Sequence, residues 1–181
     1  MGVDIIPADP VSAERRLARA QGLKWETPDT QAIVGGSSAV NGGTQYYTMV
    51  DLIAGETTTG LLVRVTTAGG ASLTLVKLAL VALGGGLLAS TADVKAAFNG
   101  TTGMIGGDLG TPYTPSASGP VWACFLATGS TLPQIARGNN GFAAAAYGSG
   151  VVVGGQRGGL TDISGLAPAS GANPHMYVAG Y

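Results

Sequence analysis

The sequence predicts a mainly β fold: an antiparallel β-sandwich, jelly-roll-like, with a short N-terminal helix. Three observations point there. Apolar residues alternate with polar ones over short runs, the period of a strand with one buried face. Turn signals separate those runs, among them Asn-Gly pairs at Asn41, Asn99 and Asn140, which tolerate positive φ. Charge is sorted, with nine ionic residues in the first thirty and ten in the remaining 151. A charged segment, residues 1–30, thus precedes a nearly uncharged body, residues 31–181.

In the first segment Asp9 is placed to cap a helix with Pro10 at its first position, and Gly22 to end it. Ala13, Leu17 and Ala20 line one side, with Glu14, Arg15, Arg16 and Arg19 elsewhere. A helix of about twelve residues with one large apolar side chain is marginal alone, so it is expected to dock on something. From Thr30 the texture becomes β. Strands are expected at Gln45–Ala54, around Leu61, Val63 and Val65, and at Ser72–Leu83. The last has Val76, Leu78 and Leu80 on one face and Leu73, Leu75 and Val81 on the other. Apolar side chains on both faces imply a central strand or one covered by a partner.

Gly84-Gly85-Gly86 turns the chain into Leu87-Leu88-Ala89 as a hairpin. Asp93–Phe98 reads as one helical turn ended by Asn99-Gly100. Further strands are expected at Gly119–Thr128, Gln134–Arg137, Gly150–Gly154 and His175–Gly180, with Phe142–Gly155 ambiguous between weak helix and small-residue strand. The core is expected to hold Val63, Val65, Leu78, Leu80, Phe125 and Leu126. No internal repeat is visible.

Composition narrows the function classes. Charged residues make up 10% of the chain, against about 25% in ordinary soluble domains. With 31 Gly and a mean hydropathy of +0.31, the body must solvate itself through Ser, Thr, Gly and backbone, or hide its surface against other subunits. A net charge of −1 gives no electrostatic reason to expect nucleic acid or an anionic membrane as partner. No secretory signal pattern is visible, and the most apolar stretch, Leu73–Ala89, is interrupted by Lys77 and three glycines, so no membrane insertion is expected. A surface so poor in charge without such a signal suits a particle component released by lysis.

Reactive chemistry is sparse. His175 is the single histidine and Cys124 the single cysteine, which leaves no multi-histidine or zinc set and no internal disulfide. Cys124 sits in Val121-Trp122-Ala123-Cys124-Phe125-Leu126, where a buried, inert thiol is the default. No G-x-S-x-G elbow, Walker A loop or G-x-G-x-x-G fingerprint occurs. Glycoside hydrolysis needs two facing carboxylates, and Asp51, Glu56, Asp93, Asp108 and Asp162 show no favouring spacing. Asp108 and Asp162 in Gly-rich surroundings are weak calcium candidates. The sequence therefore implies no enzyme and no cofactor. Glycan binding would need exposed aromatic faces; Tyr113 and Tyr147, in loop-like Gly/Ser/Thr surroundings, are the candidates, whereas Trp122 reads as core.

Two stretches carry a resemblance. Lys77-Leu78-Ala79-Leu80 with Gly86-Leu87-Leu88-Ala89-Ser90-Thr91, and Tyr113-Thr114-Pro115 through Gly119-Pro120-Val121-Trp122-Ala123-Cys124-Phe125-Leu126 to Pro133-Gln134-Ile135-Ala136-Arg137-Gly138, are similar to sections of jelly-roll domains of virion proteins from phages of actinobacteria. Those are minor tail, fibre or capsid decoration proteins. The resemblance spans about Thr44 to Gly138 and carries no catalytic signature. It implies exposure at the virion surface, binding to other virion proteins and contact with a host cell-wall glycan if it sits on a tail; strands apolar on both faces with so few charges predict a homo-oligomer, most simply a trimer. The attachment segment would supply Ile5, Ile6 and Leu17 as apolar contacts and Arg15, Arg16 and Arg19 for acidic groups or carbonyls.

Overall fold

A computed structural model describes residues 22–26, 37–136, 154–171 and 176–181. They form two antiparallel sheets packed face to face. The first sheet contains β1 (Trp25–Glu26), β2 (Ser37–Ala39), β4 (Thr58–Thr67), β7 (Gly103–Tyr113), β9 (Gln134–Ala136) and β12 (Val178–Gly180). The second runs in the order β11 (Ser170–Gly171), β10 (Gly154–Arg157), β3 (Thr44–Leu52), β8 (Gly119–Gly129), β5 (Leu73–Val81) and β6 (Leu87–Ser90). One turn of helix, α1 (Lys95–Phe98), lies between β6 and β7. The mainly β sandwich expected from the alternation is therefore the fold. The helix expected after Asp9 lies outside the described residues.

Strand β4 organises the first sheet. Val63 pairs with Ile105 of β7 on one edge and with Val178 of β12 on the other. Val65 likewise pairs with Gly103 and, on the opposite edge, with Ile135 of β9. In the second sheet β8 is central, paired with β3 from Thr44↔Ala127 to Leu52↔Gly119 and with β5 from Leu73↔Gly129 to Val81↔Trp122. The sheets meet at one corner, where Thr91, just after β6, bridges Leu109 of β7.

Period-2 alternation fills the space between the sheets. Leu61, Val63, Val65, Ile105, Ile135 and Val178 face Val50, Val76, Leu78, Leu80, Ala123 and Phe125, all buried in one cluster. Phe98 of α1 joins it, its ring 5.7 Å from that of Phe125. The turn of helix is set by Asp93, whose Oδ1 accepts from the Lys95 N–H at 3.1 Å and the Val76 N–H at 3.0 Å. Thr48 is a buried polar residue on the inner face of β3: its hydroxyl accepts from Met176 N at 2.9 Å and donates to Met176 O at 3.2 Å.

Four local readings change. Leu73 lies in the inner cluster with Val76, not opposite to it, because a register shift between Leu73 and Leu75 interrupts the alternation. Leu126 is fully buried, as expected, but on the opposite face of β8 from Phe125. Residues 103–113, too rich in Gly and Pro to read as a strand, form β7; Asp108 and Tyr113 are strand residues, not loop residues. Gly106 permits this, since a Cβ there would overlap the Leu61 carbonyl of β4. Finally, Trp25 belongs with the body although the charge pattern groups it with the first thirty residues. Its main chain pairs with Gly180, its ring packs where a Gly180 side chain would stand, and its Nε1 donates to the Thr58 hydroxyl at 2.9 Å.

Candidate functional site

The outer face of the second sheet carries three cross-strand rows over β3, β8 and β5: Gln45–Leu126–Lys77, Tyr47–Cys124–Ala79 and Met49–Trp122–Val81. An outer sheet face would normally be polar. This one is apolar because the loop 158–169, joining β10 to β11, folds back over it as a strap. Ile163 of the strap packs on the Tyr47, Met49, Ala79, Val81, Trp122 and Cys124 cluster. Tyr47 and Trp122 meet edge to face, with centroids 6.1 Å apart. Apolarity on both faces of β5, read from sequence as a central strand or a partner's cover, has a cover from the same chain.

Polar groups fasten the strap. Gln45, fully buried, donates from Nε2 to the Ser164 carbonyl at 2.9 Å and accepts from the Ser164 N–H at 2.7 Å through Oε1. The Tyr47 hydroxyl donates to Leu166 O at 2.8 Å. Arg157 donates twice to Ala167 O, from Nε at 2.9 Å and Nη2 at 2.6 Å. The Gly86 N–H donates to Gly165 O at 2.6 Å, which ties the β5–β6 hairpin to the strap. At the rim, Lys77 Nζ and Asp162 Oδ2 form an ion pair at 2.8 Å, with the Asp162 side chain 57% exposed.

Burial sets the titration of these groups. It pushes the Tyr47 phenol up to about 12, the neighbouring Cys124 adding to the effect. Cys124, wholly enclosed, has its thiol pushed far up by desolvation, so it stays protonated and inert as the sequence implied. The hydrogen bond from Lys77 holds Asp162 below the ordinary carboxylate value. Asp93 is also lowered: partial burial opposes ionisation, but the N–H bonds from Val76 and Lys95 and the Lys95 ammonium outweigh it.

Three large apolar side chains stay exposed beside the strap: Leu166 at its crest, and Leu83 and Leu87 flanking the hairpin turn it contacts. The Leu87 backbone lies against Gly165. Elsewhere the surface is solvated by hydroxyls. Thr57 and Thr114 share a hydrogen bond at 2.7 Å, Thr74 and Thr128 another at 2.7 Å, and the Ser118 and Ser72 hydroxyls accept from the backbone of Ala54 and Thr131.

Of the residues singled out from sequence, Tyr113 ends β7 opposite Thr58 and is half-buried against the inner cluster. Tyr147, His175, Ile5, Ile6, Arg15, Arg16, Leu17 and Arg19 lie outside the described residues. Asp108 accepts from the Tyr181 hydroxyl at 2.7 Å; burial, with Asp108 adding to it, raises that phenol to about 12. Among the described residues no three His, Cys, Asp or Glu side chains gather to hold a metal, and no helix is long and apolar enough to cross a membrane. The strap and the leucines beside it were not foreseen. Leu166, an isolated large apolar residue in a Gly/Ser/Ala/Pro stretch, was the available signal. No protein-family model matches the chain, and no curated protein matches it.

Proposed function

We propose that this chain is a structural component of a bacteriophage virion, exposed at the particle surface and acting by assembly and adhesion rather than catalysis. The carrying observation is the surface: a charge-poor β-sandwich body whose exposed Thr hydroxyls pair with one another, with Leu166 of the strap and Leu83 and Leu87 of the hairpin it contacts left exposed. Charge-poor surfaces with an apolar patch suit subunits that spend their working life against other subunits. The resemblance of 44–138 to jelly-roll virion domains supports the same reading. Capsid decoration or fibre and minor tail protein are its two forms, with a homotrimer as the assembled unit and residues 1–21, bearing Ile5, Ile6, Arg15, Arg16, Leu17 and Arg19, as the attachment segment. The glycan-binding alternative draws less support, since Tyr113 is half-buried.

Light scattering on the purified protein, paired with quantitative mass spectrometry of gradient-purified particles, tests the reading. The expected results are a trimer at micromolar concentration and a fixed copy number per particle. A monodisperse monomer absent from particles would refute it.

A further inference from the structure

We propose that residues 158–169 are a gate: the strap opens as a unit while the sandwich stays folded, and opening uncovers the apolar face around Tyr47 and Trp122. This inference stands independently of the virion reading. Four observations carry it.

The strap takes no part in the ladders that hold β3, β8 and β5 together. Its base is closed by the Ala169 N–H donating to Gln156 O at 3.0 Å, so it is a compact loop with adjacent ends, able to move without displacing β10 or β11. Gly158 and Gly159, the latter at φ +76°, supply a hinge at one end. Its apolar contribution is a partly buried Ile163, whereas Leu166, 57% exposed, points away from the face it could have filled.

The rest of the grip is a set of single hydrogen bonds and one rim ion pair: the Gln45–Ser164 pair, the Tyr47 and Arg157 bonds to carbonyls, and two main-chain bonds, from the Gly86 N–H to Gly165 O and from the Leu160 N–H to Gly43 O beside the hinge. The cluster under the strap is also separate from the cluster between the sheets. Lifting the strap exposes the first and leaves the second intact. Segments with few apolar contacts, held by scattered single bonds rather than a continuous ladder, are where local opening occurs well below the cost of global unfolding.

Cys124 lies under the strap and reports on it. The test is the labelling rate of Cys124 by a small aromatic disulfide reagent in native buffer, for the wild type, Leu61→Ala and Asp162→Asn. Leu61 is buried in the opposite sheet and lowers global stability when truncated. If the strap opens alone, Leu61→Ala shifts the urea midpoint downward and leaves the labelling rate within about twofold of wild type. Asp162→Asn raises the rate by about two- to fivefold, the range that an exposed ion pair supplies. Wild-type labelling is then nearly flat in low urea, because little surface is exposed. The proposal is overturned if Leu61→Ala accelerates labelling in step with its loss of global stability, or if wild-type labelling climbs with the full urea dependence of unfolding. Should Leu61→Ala fail to fold, the wild-type urea dependence alone decides.

Discussion

Gln45 and Ser164, 119 residues apart in sequence, close a two-bond pair in which a side-chain amide reads the main chain of the strap like a neighbouring strand. Gln45 is fully buried, and each of its polar atoms makes one bond of that pair. Gln45→Ala leaves the Ser164 N–H and carbonyl without these partners and opens a void beside Leu126. An unmade buried hydrogen bond costs about 1–3 kcal/mol. Gln45→Ala is therefore expected to lower unfolding free energy in urea by about 2–3 kcal/mol, with no change in the far-ultraviolet circular dichroism of the folded state.

Hydroxyls in this chain fall into two classes with different worth. Thr48 joins the inner face to Met176 through two buried bonds, whereas Thr74 and Thr128 pair in the open. Thr48→Val keeps the shape and strands both Met176 groups, at an expected cost of about 2 kcal/mol. Thr74→Val is expected to change stability by less than about 0.5 kcal/mol. Chemical denaturation of the two variants side by side checks the contrast.

Glycine supports β7 by absence of bulk. At Gly106 a Cβ would overlap the Leu61 carbonyl, a backbone atom with no freedom to yield, while at Gly84 it would meet open space. Gly106→Ala is expected to cost more than about 3 kcal/mol or to abolish folding. Gly84→Ala should be within about 0.5 kcal/mol of wild type. Thermal melts distinguish them.

Much of the fold was legible in the sequence. β3, β4, β5 and β8 combine alternation with branched or aromatic residues, and each appears within a few residues of its expected span. What escaped was set by tertiary contact. β7 has the composition of a loop, and it is a strand because Gly106 and Gly107 let it approach β4 and Val94 closely. The misplaced face of Leu73 follows from a register shift that no propensity announces. The strap has no periodicity, so nothing in residues 158–169 could say that they cover Trp122. Trp25 was grouped by charge with the first thirty residues, yet it pairs with Gly180 and bonds Thr58 of the body.

Stability should depend on pH at both extremes, with opposite signs. Burial raises Tyr47 from 10 to about 12, so the folded state holds the phenolic proton more tightly than the unfolded chain. That contribution is fully present below pH 10 and is lost as pH rises toward 12. Tyr47→Phe removes this part of the alkaline slope, leaving that of Tyr181, raised likewise. Asp162 and Asp93 are lowered, so their contribution is present above the ordinary carboxylate value and disappears as pH falls through the depressed ones. Asp162→Asn should flatten the acid limb. Urea midpoints recorded across the pH range, for the wild type and both variants, give the slopes.

On the proposed function this chain enters a particle through its N-terminal segment. The direct measurement is the amount of this chain in gradient-purified virions, comparing the full-length chain with one lacking residues 2–21, a deletion that spares the buried Trp25. Attachment through this segment requires the full-length chain at a fixed ratio to the shell protein, and a truncated chain that stays soluble and folded with little change in melting temperature but is missing from particles. Full-length chain absent from the virions would contradict the assembly reading, and a truncated chain incorporated at the same ratio would contradict the attachment role of the first twenty-one residues.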